Sequence, residues 1–286
     1  MTAAFATAFA FVRAVHFASL MTVFGASALL FQAKGVDAAR FRRLLFFASL
    51  AALATAVLWL FFVTQEIAGD AAAGFLLIGD VATKSFYGQV AICRFVLLIA
   101  LCAVPRDWHA ARTLLAAAAL VLLGSTSHAA AAGAENYFYA RAAIDAVHLL
   151  AAGFWLGGLV VLAPQVLAKP RDTPRLIALL RLFSRWGAVS VAVLIVAGTL
   201  NAVAILDMQG MRWSGTYVTW LAIKIVLAAV MVALALTNRF GVLPGLERGE
   251  AEASQTIPLT VLAELGAALL IVLIVGFLGL TAPMEM

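Results

Sequence analysis

Seven ionisable side chains stand inside long apolar runs of this sequence: Arg13, His16, Arg94, Asp145, His148, Lys224 and Glu264. A charge at the centre of a hydrocarbon layer costs about 2.5–3.5 kcal/mol even on lenient insertion scales, so each of these needs a partner or a task. The sharpest chemistry belongs to His16 and His148. Neutral imidazole is the commonest metal ligand and suits copper, provided that the second ring nitrogen finds an orienting acceptor. Asp145, one helical turn from His148, supplies that acceptor or holds a positive charge. His128, which closes the run Gly124-Ser125-Thr126-Ser127-His128, is the natural third ligand. His109, in the turn that follows Pro105, reads as an ordinary loop residue. Met208 with Met211, and Met284 with Met286, offer soft sulfur for capturing Cu(I). Against all of these stands a plainer role, in which histidines hydrogen-bond between membrane helices and methionines fill gaps.

The remaining charges in the runs support such a site or pair with one another. Arg13, Asp145, Lys224 and Glu264 are read in that role. Arg94 and Lys224 have Asp145 and Glu66 as alternative partners, and the pairing stays open. Cys93 beside Arg94 reads as a small buried hydrophobe, and Met21 as a packing residue. The chain contains no GxxxxGK[ST] phosphate loop, no GxGxxG, no HExxH and no GxSxG elbow. No catalytic residue is identified, and the expectation is a protein that is not an enzyme.

The elements that must position these groups follow from composition. Of 286 residues, 65% are hydrophobic and 12% charged, about half the charged share of ordinary soluble domains. A single core cannot hide that much apolar surface from water, whereas a bilayer solvates it. Windows of about 19 apolar residues, enough to cross some 30 Å of hydrocarbon as helix, fall at 6–31, 43–66, 86–104, 111–131, 141–165, 184–206, 216–238 and 257–281. The predicted fold is therefore an all-α bundle of eight transmembrane helices in one membrane domain. The first run lacks a basic leader and a cleavage site, so it reads as a retained helix. Cys93 and Cys102 share one apolar run and make no disulfide framework.

The net charge of +5 reflects topology rather than a nucleic-acid partner. Thirteen of the lysines and arginines fall in the first, third, fifth and seventh loops, against three (Lys84, Arg141 and Arg212) on the other side. Positive loops stay in the cytoplasm, which puts both termini outside, in the periplasm of a Gram-negative cell. The basic segment from Arg171 to Arg185 is expected to lie partly along the inner surface.

An internal repeat emerges from the same residues. His16 matches His148 and Gly25 matches Gly157 at an offset of 132, while Tyr87 and Arg94 match Tyr217 and Lys224 at an offset of 130. Two four-helix halves, 1–131 and 141–283, then share one topology and a two-fold axis along the membrane normal. That relation is expected to bring His16 and His148 face to face.

In its second half the chain resembles the bacterial copper resistance protein D (CopD) family. The resemblance rests on DAVHLLAAGFWLGGL at 145–159, Phe183-Ser184, the run from Ser190 to Leu194, Gly198 to Asn201, Tyr217 with Lys224, Asn238-Arg239, Pro244, Glu264 and the closing LTAP at 280–283. Arg13, His16 and Gly25 resemble the opening helix of that family. The resemblance implies an inner-membrane protein that handles copper, with His16, His148, Asp145, Lys224, Asn201 and Glu264 at the matching positions. It also implies copper, as Cu(I) or Cu(II), as the ligand and a small periplasmic copper-binding protein of the CopC type as donor. The alternative is a b-type haem electron carrier with His16 and His148 as axial ligands, since facing histidines in a bundle also suit haem.

Overall fold

In hydrocarbon every backbone N–H and C=O must bond within its own segment, and the apolar runs accordingly fold as helices. The computed structural model describes residues 2–33, 36–69, 71–105, 107–126, 137–208 and 215–281, apart from the side chains at 71, 72 and 206–208. His128, Met211, Met284 and Met286 and the side chain of Met208 lie outside the described residues. The main helices are α1 (Ala3–Gln32), α2 (Arg42–Ala68), α3 (Ala71–Lys84), α4 (Phe86–Ala103) and α5 (His109–Gly124). They continue as α6 (Phe138–Leu167), α7 (Thr173–Met208), α8 (Thr216–Thr237), the short α9 (Leu243–Glu247) and α10 (Ala251–Leu278). No strand occurs among the described residues.

Seven of the predicted spans coincide with helices long and apolar enough to cross a membrane, and the remaining one coincides with the 16-residue α5. Sequence reading missed α3. Gly69, in the left-handed conformation at φ 70°, ends α2 and turns the chain into it. Its Phe75 and Leu76 are 68% and 84% exposed, while Lys84 pairs with Asp80 at 3.0 Å. An amphipathic helix of this kind suits the membrane–water interface better than a span.

α1 occupies the centre, packed against α2, α5, α6 and α10. The pairing recurs in the second half, where α6 packs against α7, α10, α1 and α5. One difference matters for the site. α2 packs along α4, but their counterparts α7 and α8 make no comparable contact among the described residues.

α1 and α6 approach closely because glycines meet at their crossing. A Cβ on Gly25 would strike the Gly153 carbonyl oxygen, and one on Gly157 would strike the backbone of Gly25 and Ala26. Such small-residue contacts replace the hydrophobic driving force that lipid removes.

The basic loops gather at one end. Arg42 pairs with Asp107 at 3.2 Å, Arg181 with Glu247 at 2.8 Å, and Arg171 donates to the Ser254 carbonyl at 2.6 Å. Arg112, expected in a loop, instead sits fully buried on α5 and donates to the Leu45 carbonyl and Ser49 Oγ of α2 at 3.1 and 2.8 Å.

Candidate functional site

The first cluster grows from His16, fully buried on α1. Its Nδ1 lies 3.0 Å from the Ala52 carbonyl and 3.1 Å from Thr55 Oγ1 on α2, and its Nε2 lies 2.6 Å from the Arg94 guanidinium on α4. Arginine can only donate, so Nε2 accepts and Nδ1 carries the proton. The Trp59 indole stands edge-on to the His16 ring at 5.4 Å. Its face also receives the guanidinium groups of Arg13 and Arg94 at 4.4 and 5.5 Å, a cation–π arrangement. Both nitrogens of His16 are thus engaged, and a cation occupies the position from which a metal would bind Nε2.

The second cluster has the same plan with one place left open. His148 on α6 lies against α7, where a Cβ on Gly198 would come within 3.2 Å of its Cε1. Its buried Nδ1 faces the backbone of Leu194 without a well-formed hydrogen bond. Lys224 of α8, which matches Arg94 at the offset of 130, lies within electrostatic range of both His148 and Asp145. Asp145 accepts from Asn201 Nδ2 at 2.9 Å. Tyr217, its counterpart Tyr87 and Glu66 also lie within electrostatic range of these clusters.

The expected meeting of His16 with His148 does not occur: His16 contacts α2 and α4, whereas His148 contacts α7 and α8. The reason is helical geometry. Each histidine precedes its crossing glycine, Gly25 or Gly157, by nine residues. At about 3.6 residues per turn this is two and a half turns, which places the imidazole on the opposite face, about 14 Å along the axis. The crossing that joins the halves therefore turns the two rings away from each other. These contacts show neither a shared two-histidine metal centre nor a haem site with these axial ligands. Among the described residues no three His, Cys, Asp or Glu side chains gather as a metal-binding group.

Glu264 forms a third cluster that sequence reading did not assemble. It is 2% exposed on α10 and accepts from Trp155 Nε1 of α6 at 3.2 Å and from Asn238 Nδ2 at 2.6 Å. Thr260 donates to Asn238 Oδ1 at 2.6 Å. Asn238 opens a π-helical stretch, Asn238–Val242, between α8 and α9. The available signal was Trp155, a tryptophan whose N–H needs an acceptor when buried.

Other candidates fall into plain roles. Met21 is buried in the core as expected, but Cys93 is exposed on α4 rather than buried. His109 begins α5, where partial burial pushes its imidazole below the ordinary value.

Comparison with known proteins adds the family context. Residues 1–137 match the family model described as Copper resistance protein D-like, N-terminal domain, and residues 177–278 match the model described as Copper resistance protein D. The chain is 35% identical over 182 residues to Copper resistance protein D of Pseudomonas syringae pv. tomato, a match covering 60% of this chain and 58% of that protein. It thus spans less than two thirds of that relative. It is 27% identical over 201 residues to Inner membrane protein YebZ of Escherichia coli K12, covering 68% of this chain and 67% of that protein. No solved structure matches the chain.

Proposed function

The chain belongs to the copper resistance protein D family, and on that premise we propose that it is a multi-pass inner-membrane protein that binds copper from the periplasmic side, for uptake or for tolerance. Copper, as Cu(I) or Cu(II), is the substrate, delivered by a small periplasmic copper-binding protein of the CopC type. The thirteen-to-three asymmetry of basic residues supports a cytoplasmic arginine-rich end and periplasmic termini.

One observation carries the choice of ligand. Of the two matching histidines, His16 has both nitrogens engaged, whereas the buried Nδ1 of His148 has no well-formed hydrogen bond. His148 is thus the ligand that receives copper, with Asp145 offsetting the charge of Lys224. His16 joins only if Arg94 withdraws from Nε2. His128, Met208 and Met211 are the remaining candidates for capture at the outer end. No role in bond-making chemistry is assigned to any of these groups.

Metal analysis of the purified protein tests this reading. His148→Ala is expected to weaken copper binding by at least about tenfold, the lower end of the affinity loss seen when a ligand's outer-shell support alone is removed. Gly198→Val is expected to do the same by filling the space of the imidazole, while His16→Ala leaves most copper bound. Equal copper content in His148→Ala and wild type would overturn the assignment.

A further inference from the structure

The Glu264 cluster contains something that neither copper binding nor helix packing requires. A carboxyl group sits near the middle of a 28-residue apolar helix, 2% exposed, and its hydrogen bonds come from two neutral donors, Trp155 and Asn238. The charged and titratable groups on the elements around α10 are engaged elsewhere. On α1, Arg13 lies over Trp59 and His16 bonds Arg94. On α6, Arg141 lies over Tyr137, Asp145 accepts from Asn201, and His148 faces α7. Tyr217 and Lys224 of α8 lie within range of Asp145. Arg239 donates to Ser184, Glu247 pairs with Arg181, and Glu252 lies in the first turn of α10. An ionised carboxylate so placed must lean on neutral dipoles alone, and a protonated one needs an acceptor.

Asn238 and Thr260 provide for both. In the orientation described, the amide donates to Glu264 Oε1 and Thr260 donates to Asn238 Oδ1, both at 2.6 Å, which satisfies the carboxylate. With the amide turned over, Oδ1 faces Glu264 and accepts the acid proton, while Nδ2 faces Thr260 Oγ1. The Thr260 hydroxyl then donates to the Ile257 or Thr256 carbonyl, already 3.2 and 3.3 Å away. Trp155 donates to Oε2 in either case. Every group stays satisfied, and the two amide orientations have the same shape. The π-helical stretch that begins at Asn238 is a backbone irregularity of the kind often found at functional positions.

We propose that Glu264 is a proton-binding site within the span, and that Asn238 and Thr260 form a reversible relay that satisfies both of its protonation states. One proton from water adds to a carboxylate oxygen to give the acid, and the same proton returns on release. The site stands independently of the copper reading, because its partners are all neutral and it shares no residue with the His148 cluster.

Infrared difference spectroscopy on the full-length protein in lipid, without copper, tests it. Between about pH 4 and pH 10, a span that brackets ordinary and burial-shifted carboxyls, a protonated-carboxyl carbonyl band is expected to appear on acidification and to shift on exchange into heavy water. Glu264→Gln should remove that band, while Asp145→Asn retains it. Asn238→Leu deletes the donor to the anion and should raise the midpoint by at least about one pH unit, a tenfold change in proton affinity. If Glu264→Gln yields no folded protein, the Asn238→Leu shift and the wild-type titration still decide. A carboxyl band constant across the whole pH range, or a midpoint unmoved by Asn238→Leu, would overturn the proposal.

Discussion

Gly157→Val abolishes the folded protein. The Cβ would land on the backbone of Gly25 and Ala26 rather than on a side chain that can swing aside, so α1 and α6 must part. These are the two most enclosed spans, and α1 also carries the contacts to α2, α5 and α10, so a gap between them propagates through the bundle. Overpacking typically costs about 1–3 kcal/mol, and the absence of any movable neighbour puts this site at the top of that range or beyond. Gly157→Ala already suffers, because the clash is at Cβ. The matched control is Gly266→Ala on α10, where a Cβ meets nothing within 4 Å. Detergent size-exclusion profiles and melting temperatures check both. A Gly157→Ala protein that melts with wild type would show that the close approach carries no load.

Arg94→Leu gives the protein a second copper site. The substitution removes the donor that holds His16 Nε2 at 2.6 Å and leaves Nδ1 anchored to the Ala52 carbonyl, which is the arrangement of a metal-ligating histidine with an oriented second nitrogen. It also relieves the mutual repulsion of Arg13 and Arg94, which share the face of Trp59. The unpaired nitrogen costs about 1–3 kcal/mol without metal, and copper binding offsets that cost. Bound copper is expected to rise by about one ion per chain, and the rise should vanish in Arg94→Leu/His16→Ala. Unchanged copper in Arg94→Leu, or a gain that survives removal of His16, would show that Arg94 does not guard this nitrogen.

How much of this was legible depended on whether a property belongs to one segment or to the relation between segments. The eight apolar runs were readable because a helix in lipid satisfies its own backbone, so length and composition suffice. α3 escaped because its 14 residues are too short for a span and its apolar face is meant for the interface. Arg112 was counted with the loops because it stands one turn into α5, and nothing local says that its guanidinium reaches Leu45 and Ser49 on α2.

The histidines teach the same lesson more sharply. The shared offset of His16 and His148 was plain, and the nine-residue step to Gly25 and Gly157 already placed each histidine on the face opposite its glycine. What was missing was the knowledge that α1 and α6 cross at those glycines. Once that crossing is fixed, each imidazole turns toward its own neighbours: Arg94 bonds His16, while His148 packs against Gly198 with its Nδ1 lacking a well-formed hydrogen bond.

By itself, then, the sequence determined the solvent and the apolar spans, since each is a property of composition or spacing along one chain. The tertiary structure alone decided which of them meet. Pairing across helices depends on rotation about each axis, and about 100° per residue turns a small uncertainty in the crossing point into a different partner. Glu264 shows the consequence: its place in an apolar helix was visible at once, but only the packing of α6 and the π-helical stretch against α10 assembled Trp155, Asn238 and Thr260 around it.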